Sequence, residues 1–297
     1  VRLFMFVLAH LSDVHLAPLP VPNPLELASK RGLGFLNWLR KRHRIHRREV
    51  LDAIVGDLKA QNSDHVAFTG DLVNLSLTSE FPRSRQWLEA LGTPDRVTFV
   101  PGNHDTYVRA VLGKPEQYWG EYMLGDTGES FPFVRRRGPM AIVGLSTSLP
   151  TLPLAATGRL HSGQIEKLGP ILDALGREGL FRVIMIHHPP VQDAHHFRRL
   201  VDAAELREVL RAHGAELVLH GHHHEQSLVW LAGPGFNIPC VGVPSASNAP
   251  DRGDDPAGYN LYEIGGEPGE WRCTLIARGM GHGSTVIGET MRMELTN

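Results

Sequence analysis

The stretch Phe4-Met5-Phe6-Val7-Leu8-Ala9-His10-Leu11-Ser12-Asp13-Val14-His15 decides how this chain reads. Residues 4–11 are a continuous apolar run with the length and composition of a strand buried on both faces. The run ends on Asp13 and His15, two side chains able to bind a cation. In an extended segment their spacing of two would put both on the same side. The run could be mistaken for the core of a secretory leader. It lacks a basic stretch before it and a small-residue cleavage site after it, so a first core strand is expected.

Four further fragments repeat this arrangement: Gly70-Asp71, Gly102-Asn103-His104-Asp105, His187-His188-Pro189 and Gly221-His222-His223-His224. Each follows an apolar, β-rich run, at 65–69, 96–100, 181–186 and 216–220, and a further run lies at 140–145. Helical patterns separate several of them. Segment 48–60 carries Val50, Leu51, Ile54, Val55 and Leu58 on one face, and 80–91, 162–175 and 202–213 are similar in pattern. Strand alternating with helix predicts an α/β fold. After Glu225 the strands come closer together, at 227–231, 237–243, 259–264 and 271–277, with Gly/Pro turns between them. These are expected to form a second, more antiparallel sheet. Two sheets face to face with helices outside make a four-layer αββα sandwich. Residues 18–24 and 249–258 read as loops bordering the site. The widely spread donors must converge, so 1–297 is expected to be a single domain.

The 297 residues carry a net charge of −2, so no global basic field attracts nucleic acid, and no nucleic-acid partner is expected. Two cysteines, Cys240 and Cys273, lie far apart and fit a reducing compartment. No stretch approaches the ~20 apolar residues of a membrane span. A cytoplasmic location is expected.

Any one D-x-H or H-x-H is ordinarily a solvated turn, and seventeen histidines make chance pairs easy. The ordered set is different, because together it supplies enough oxygen and nitrogen donors for two metal ions. A carboxylate with two oxygens suits a bridge between them. Mixed N/O donors without thiolate fit Mn, Fe or Zn, divalent or trivalent, better than copper(I) or an iron–sulfur cluster. Gly70, Gly102 and Gly221 permit tight turns and close backbone approach.

The five fragments fill every position of the pattern D-x-H, G-D, G-N-H-[DE], H, G-H-x-H between Asp13 and His224. In this the chain resembles the calcineurin-like metallophosphoesterases. The resemblance implies the sandwich fold and a dinuclear metal-dependent phosphohydrolase. It implies that Asp13, His15 and His224 hold one metal, that Asn103, His187 and His222 hold the other, and that Asp71 bridges. His187 is preferred to His188 because the family's ligand stands two residues before a proline. Two such metals bind a phosphoryl oxygen and a water, giving hydroxide near neutral pH for in-line displacement. His104 would sit near the leaving group as a general acid or a cationic phosphate contact, with Asp105 orienting it. His195 and His196 match the offset of substrate-touching histidines in some distant members, and otherwise read as a solvated pair. Ser245, Ser247 and Asn248 could also face the substrate. Members of this size with H-H-P-P look like cyclic-nucleotide or glycerophosphodiester phosphodiesterases.

Residues 28–48 read ASKRGLGFLNWLRKRHRIHRR, a basic amphipathic insertion. Phe35, Leu36, Trp38 and Leu39 would share one face, with Arg40, Lys41, Arg44, Arg47 and Arg48 mostly on the other. Such a helix can pack its apolar face on the sheet with its arginines solvated. It can also lie at the inner face of a membrane, or hold an anionic, lipid-like or nucleotide substrate. It loosely resembles a segment of family members linked to lipid A precursor hydrolysis. An alternative activity is therefore a UDP-2,3-diacylglucosamine-type pyrophosphatase. A non-catalytic binding scaffold is the remaining alternative.

Overall fold

A computed structural model describes residues 5–191, 196–252 and 255–295. Residue 4 of the expected first strand and residues 253–254 of the expected 249–258 loop lie outside them. The strands are β1 Phe6–Leu11, β2 His65–Phe68, β3 Val97–Phe99, β4 Phe133–Arg137, β5 Met140–Gly144, β6 Phe181–Met185, β7 Leu217–His220, β8 Ser227–Ala232, β9 Asn237–Gly242, β10 Gly258–Gly265, β11 Arg272–Met280 and β12 Ile287–Glu294. The helices are α1 Lys30–Asn37, α2 His43–Ile45, α3 Arg48–Ala60, α4 Glu80–Leu91, α5 Lys114–Trp119, α6 Ser162–Arg177 and α7 Ala203–His213.

Two six-stranded mixed sheets form, ordered β12-β11-β10-β1-β2-β3 and β4-β5-β6-β7-β9-β8. Strands β1, β2 and β3 are mutually parallel, as are β5, β6, β7 and β9. Period-two alternation explains how the sheets stack. Met140, Ile142, Val183 and Met185 join the core shared with β1–β3, α3 and α4. Their neighbours Ala141, Val143, Ile184 and Ile186 face the opposite way and pack with Leu168 and Leu172 of α6 and Leu206 and Leu210 of α7. The layers are therefore helix, sheet, sheet, helix.

The strands after Glu225 do not make a sheet of their own. β8 and β9 extend the second sheet, while β10 crosses over to pair antiparallel with β1, Phe6 opposite Ile264, and carries β11 and β12 with it. The second sheet thus has antiparallel edges around a parallel centre, while the first is parallel from β1 to its β3 edge and antiparallel on the other side.

The insertion also differs from expectation. Residues 30–45 form α1, a π-helical turn over Trp38–Arg42 and α2. Trp38 is buried, whereas Leu33, Leu36 and Leu39 are 55%, 48% and 53% exposed. The segment is held at its ends by polar contacts instead of a packed apolar face. Arg31 donates from Nε to Leu75 O at 3.0 Å, Arg47 N donates to Ser247 O at 2.9 Å, and Ala249 N donates to Ile45 O at 2.8 Å.

Candidate metal centre

The parallel strands deliver the expected donors from one end. Asp13 follows β1, Asp71 follows β2, Asn103 follows β3, His187 follows β6 and His222 follows β7. This is the carboxyl edge at which open α/β sheets place their ligands. The first two turns are zipped together: Asp13 N donates to Gly70 O (2.9 Å), His15 N to Asp71 O (2.9 Å) and Leu16 N to Leu72 O (3.0 Å).

The turns are not extended. Asp13, His15, Asp71, His222 and His224 all have positive φ, at 53°, 41°, 57°, 72° and 61°. The i, i+2 pairs meet through repeated left-handed residues, not through a strand's pleat. Non-glycine residues in this region cost on the order of 1–3 kcal/mol each, and such strain clusters at functional sites. Neighbouring glycines make room. A Cβ at Gly102 would collide with the Asp71 carboxylate and the His187 ring, and one at Gly221 with Ser12 and the Asp13 carboxylate.

Asp71 lies between two sets of donors. Its Oδ2 is 3.8 Å from His15 Nε2 on one side and 3.5 Å from His187 Nε2 on the other. Asp13 Oδ1 lies 3.1 Å from His224 Nε2, which is 3.3 Å from His15 Nε2. The groupings with ligand atoms within 4.8 Å of one another include Asp13, Asp71 and His187; His15, Asp71 and His104; His15, His46 and His224; and His187, His188 and His222. The imidazoles are held from behind. His187 Nδ1 donates to Thr69 O (2.6 Å), which leaves Nε2 as its open atom. His222 Nε2 donates to Arg198 O (2.8 Å), which leaves Nδ1. His188, by contrast, has both nitrogens engaged, with Thr147 Oγ1 (2.7 Å) and Ala156 O (3.1 Å).

Charge follows this arrangement. Burial pushes His15 and His222 well below the ordinary histidine range, so both are neutral, as ligands must be. Burial also works against ionisation of Asp13, but the neighbouring His224, together with His187 and Ser12, outweighs it and holds the carboxyl below its usual range. For His187 burial opposes the cationic form and the Asp71 carboxylate overcomes it, raising the ring to about 9.

Asp105 is placed differently from expectation. Asp105 does not orient His104. Its carboxylate turns back beneath the loop and accepts four backbone N–H groups, from Asp71 (2.9 Å), Leu72 (2.9 Å), Val73 (3.2 Å) and Gly102 (2.8 Å). The tautomer of His104 is set by the Asn74 carbonyl, which accepts from Nδ1, while His104 N donates to Asp71 Oδ1 at 2.7 Å. His196 is exposed, and His195 lies outside the described residues. Ser245 and Ser247 support the site from behind: Ser245 Oγ donates to Asp13 O at 2.6 Å, and Ser247 Oγ meets His46 Nδ1 at 2.9 Å.

Two residues of the insertion reach this cluster without having been singled out in sequence. The His46 ring centroid is 4.4 Å from that of His15, and Arg42 meets His104 Nε2 at 3.1 Å. Tyr107 stacks on His104 at 5.3 Å, and Lys30 Nζ lies over the Tyr107 ring, 4.0 Å from its centre. The only sequence signal was the crowding of basic residues close after Asp13-Val14-His15.

The residues present fit a pair of cations. Asn103 Oδ1 is buried without a hydrogen-bond partner, and a buried polar atom left unpaired costs about 1–3 kcal/mol. Asp13 Oδ1 and His187 Nε2 meet only other members of the donor set, His224 Nε2 at 3.1 Å and Asp71 Oδ2 at 3.5 Å.

A model of the calcineurin-like phosphoesterases matches residues 6–226. A relative from Synechococcus sp., named "Probable cyclic nucleotide phosphodiesterase", is 29% identical over 233 residues, 75% of this chain and 80% of its own length. One of the same name from Rhodococcus erythropolis is 25% identical over 236 residues, 77% of this chain and 70% of its own. Among solved structures, a dimetal phosphatase from Danio rerio gives a TM-score of 0.67 at 14% identity over 98% of both chains. Purple acid phosphatase PPD1 of yellow lupin gives 0.61 at 13% identity, over 99% of this chain and 54% of that one. At these identities the two structures show a shared fold.

Proposed function

The chain belongs to the calcineurin-like phosphoesterase family and is a metal-dependent phosphoester hydrolase, and from that premise we propose that it is a phosphodiesterase working at a dinuclear centre. Residues 1–297 serve as one catalytic domain, with 28–48 as an insertion. Asp13, His15 and His224 hold one ion, Asn103, His187 and His222 the other, and Asp71 is shared. The observation that carries this reading is the buried convergence of Asp13, Asp71 and His187, whose ligand atoms all lie within 4.8 Å of one another. Mn, Fe or Zn suits the donors. Such ions, when bound, lower the pKa of a water and neutralise charge on the phosphoryl oxygens.

The chain's own groups do the rest. The His15, His187 and His222 rings are fixed by the Val73, Thr69 and Arg198 carbonyls, so their open nitrogens are aimed before anything binds. Asp71 Oδ1 holds the His104 backbone, which fixes that ring beside the shared carboxylate. With Nδ1 given to Asn74, any proton or hydrogen bond His104 offers a substrate passes through Nε2.

The choice of diesters is supported by the two relatives' names. The test is turnover by Mn-, Fe- or Zn-loaded protein across monoesters, cyclic and linear diesters and UDP-linked lipids. Diesters should be turned over fastest; a clear preference for monoesters overturns the diesterase assignment.

His104→Ala should keep both metals and lose ~10²–10⁴-fold in rate on substrates with poor leaving groups. The loss should shrink for p-nitrophenyl esters, which need little protonation. An equal loss on both classes would assign His104 to phosphate binding instead.

A second reading, a lipid-linked substrate or an anionic membrane surface, is favoured by the exposure of Leu33, Leu36 and Leu39 beside the exposed Arg40, Lys41 and Arg44. No helix among the described residues is long and apolar enough to cross a membrane, so such contact would be peripheral. Replacing Arg40, Lys41 and Arg44 with Gln should weaken sedimentation with anionic vesicles at low salt. The difference should fade as salt screens charges beyond ~10 Å at 0.1 M. Unchanged vesicle binding at low salt rules the surface out.

A further inference from the structure

The insertion ends its π-helical turn on Arg42, and such turns recur at functional sites. Trp38, the first residue of the turn, is buried, and His43 Nδ1 donates to Trp38 O at 2.8 Å. With Arg31 fixed on Leu75 and Arg47 on Ser247, the turn is held at both ends over the metal centre. Arg42 is aimed inward while Arg40, Lys41 and Arg44 face solvent.

The partners of Arg42 are unusual for a guanidinium. Nη1 meets His104 Nε2 at 3.1 Å and Nη2 meets His46 Nε2 at 3.3 Å, and both acceptors are imidazole nitrogens. Nδ1 of His104 faces the Asn74 carbonyl, and Nδ1 of His46 faces Ser247 Oγ, so each Nε2 offers a lone pair. Nε of Arg42 is buried without a partner, and the side chain forms no ion pair among the described residues. A planar fork of donors that meets only neutral acceptors gains by exchanging them for anionic oxygens. Hydrogen bonds to a charged partner are roughly twice as strong, and the guanidinium geometry matches phosphate.

We propose that Arg42 is a substrate-binding residue that grips a non-bridging oxygen of the phosphoester, making the 30–46 insertion a recognition element of the site. This rests on the phosphoesterase reading above. On binding, Arg42 exchanges its histidine contacts for the phosphoryl oxygen. That vacates His104 Nε2 beside the substrate and His46 Nε2 beside His15. The chemical class recognised is the phosphoryl anion itself.

The test uses inorganic phosphate as the probe, titrated calorimetrically into the Mn-loaded full chain, with metal content measured on each sample. Arg42→Gln should weaken phosphate roughly 10- to 100-fold with both metals retained. Arg42→Lys should fall between, since a point charge cannot reproduce the fork. Arg48→Gln, exposed at the end of the same basic stretch and paired with Asp52, should bind as the parent does. Unchanged phosphate affinity in Arg42→Gln overturns the proposal, with a lowered Tm then marking a structural role. Equal weakening in Arg48→Gln overturns it in favour of a diffuse basic field. Loss of metal from both Arg42 variants overturns it in favour of support for the metal centre. Phosphate binding as expected, in a parent protein that turns over no diester, would sink the phosphodiesterase reading and leave the phosphate contact standing.

Discussion

Asp71→Ala should lower kcat/KM on any phosphodiester by roughly 10³-fold or more and leave at most one metal ion per chain. Removing one preorganised charge-stabilising donor already costs ~10²–10³-fold in rate, and removing Asp71 would take away a carboxylate that two groups of ligands share. Its Oδ2 lies 3.8 Å from His15 Nε2 and 3.5 Å from His187 Nε2, so it is the group shared by the two donor sets. Its Oδ1 also holds the backbone of His104. A variant that keeps both ions and full turnover would show that something else joins the two halves.

Asp105→Ala should damage the fold more than the chemistry. The carboxylate accepts the N–H groups of Asp71, Leu72, Val73 and Gly102 in a site without water access. Leaving two or more such donors unpaired costs on the order of 3–6 kcal/mol. At ~2–4 °C per kcal/mol for a chain of this size, Tm should fall by roughly 10–20 °C. Asp105→Asn, which keeps one acceptor oxygen, should fall less. An unchanged Tm with a large rate loss would return Asp105 to the role of orienting His104.

The expectation that failed for Asp105 marks where local pattern stops being informative. Gly102-Asn103-His104-Asp105 tells which donors are present. The direction of the Asp105 carboxylate depends on the turn after β2, some thirty residues away. The strands carrying the site were legible for a simple reason. β1, β2, β3, β6 and β7 are buried on both faces, so their sequences are mostly apolar, broken only by His10, His65, Thr98, Arg182 and His220. The helices α3 and α4 were legible to their ends because their apolar residues keep a helical period. β4 and β12 were not, because FVRRR and IGETMRME are edge strands with polar and half-exposed positions. Arg135 of β4 is buried all the same, because the carbonyls of Leu124, Glu121, Pro94 and Val97 surround its guanidinium. No rule of composition marks such an arginine.

The same distinction holds within the site. The seven residues expected as ligands stood out in the sequence because each lies at or just after a turn at a strand end. Arg42 and His46 were not, because a helical insertion brings them in, and its register over the site is set by tertiary contacts with Leu75 and Ser247. The assignment of β8 and β9 to one sheet and β10–β12 to the other is likewise a property of pairing. Alternation within a strand says which residues face a core, not which neighbour the strand will choose.

The central claim is that these seven residues hold two ions around one carboxylate. Elemental analysis of the full chain after loading with Mn, Fe or Zn and removal of free metal tests it most directly. The arrangement predicts two ions per chain. A firm stoichiometry of one, or of none, in protein that remains folded would contradict it.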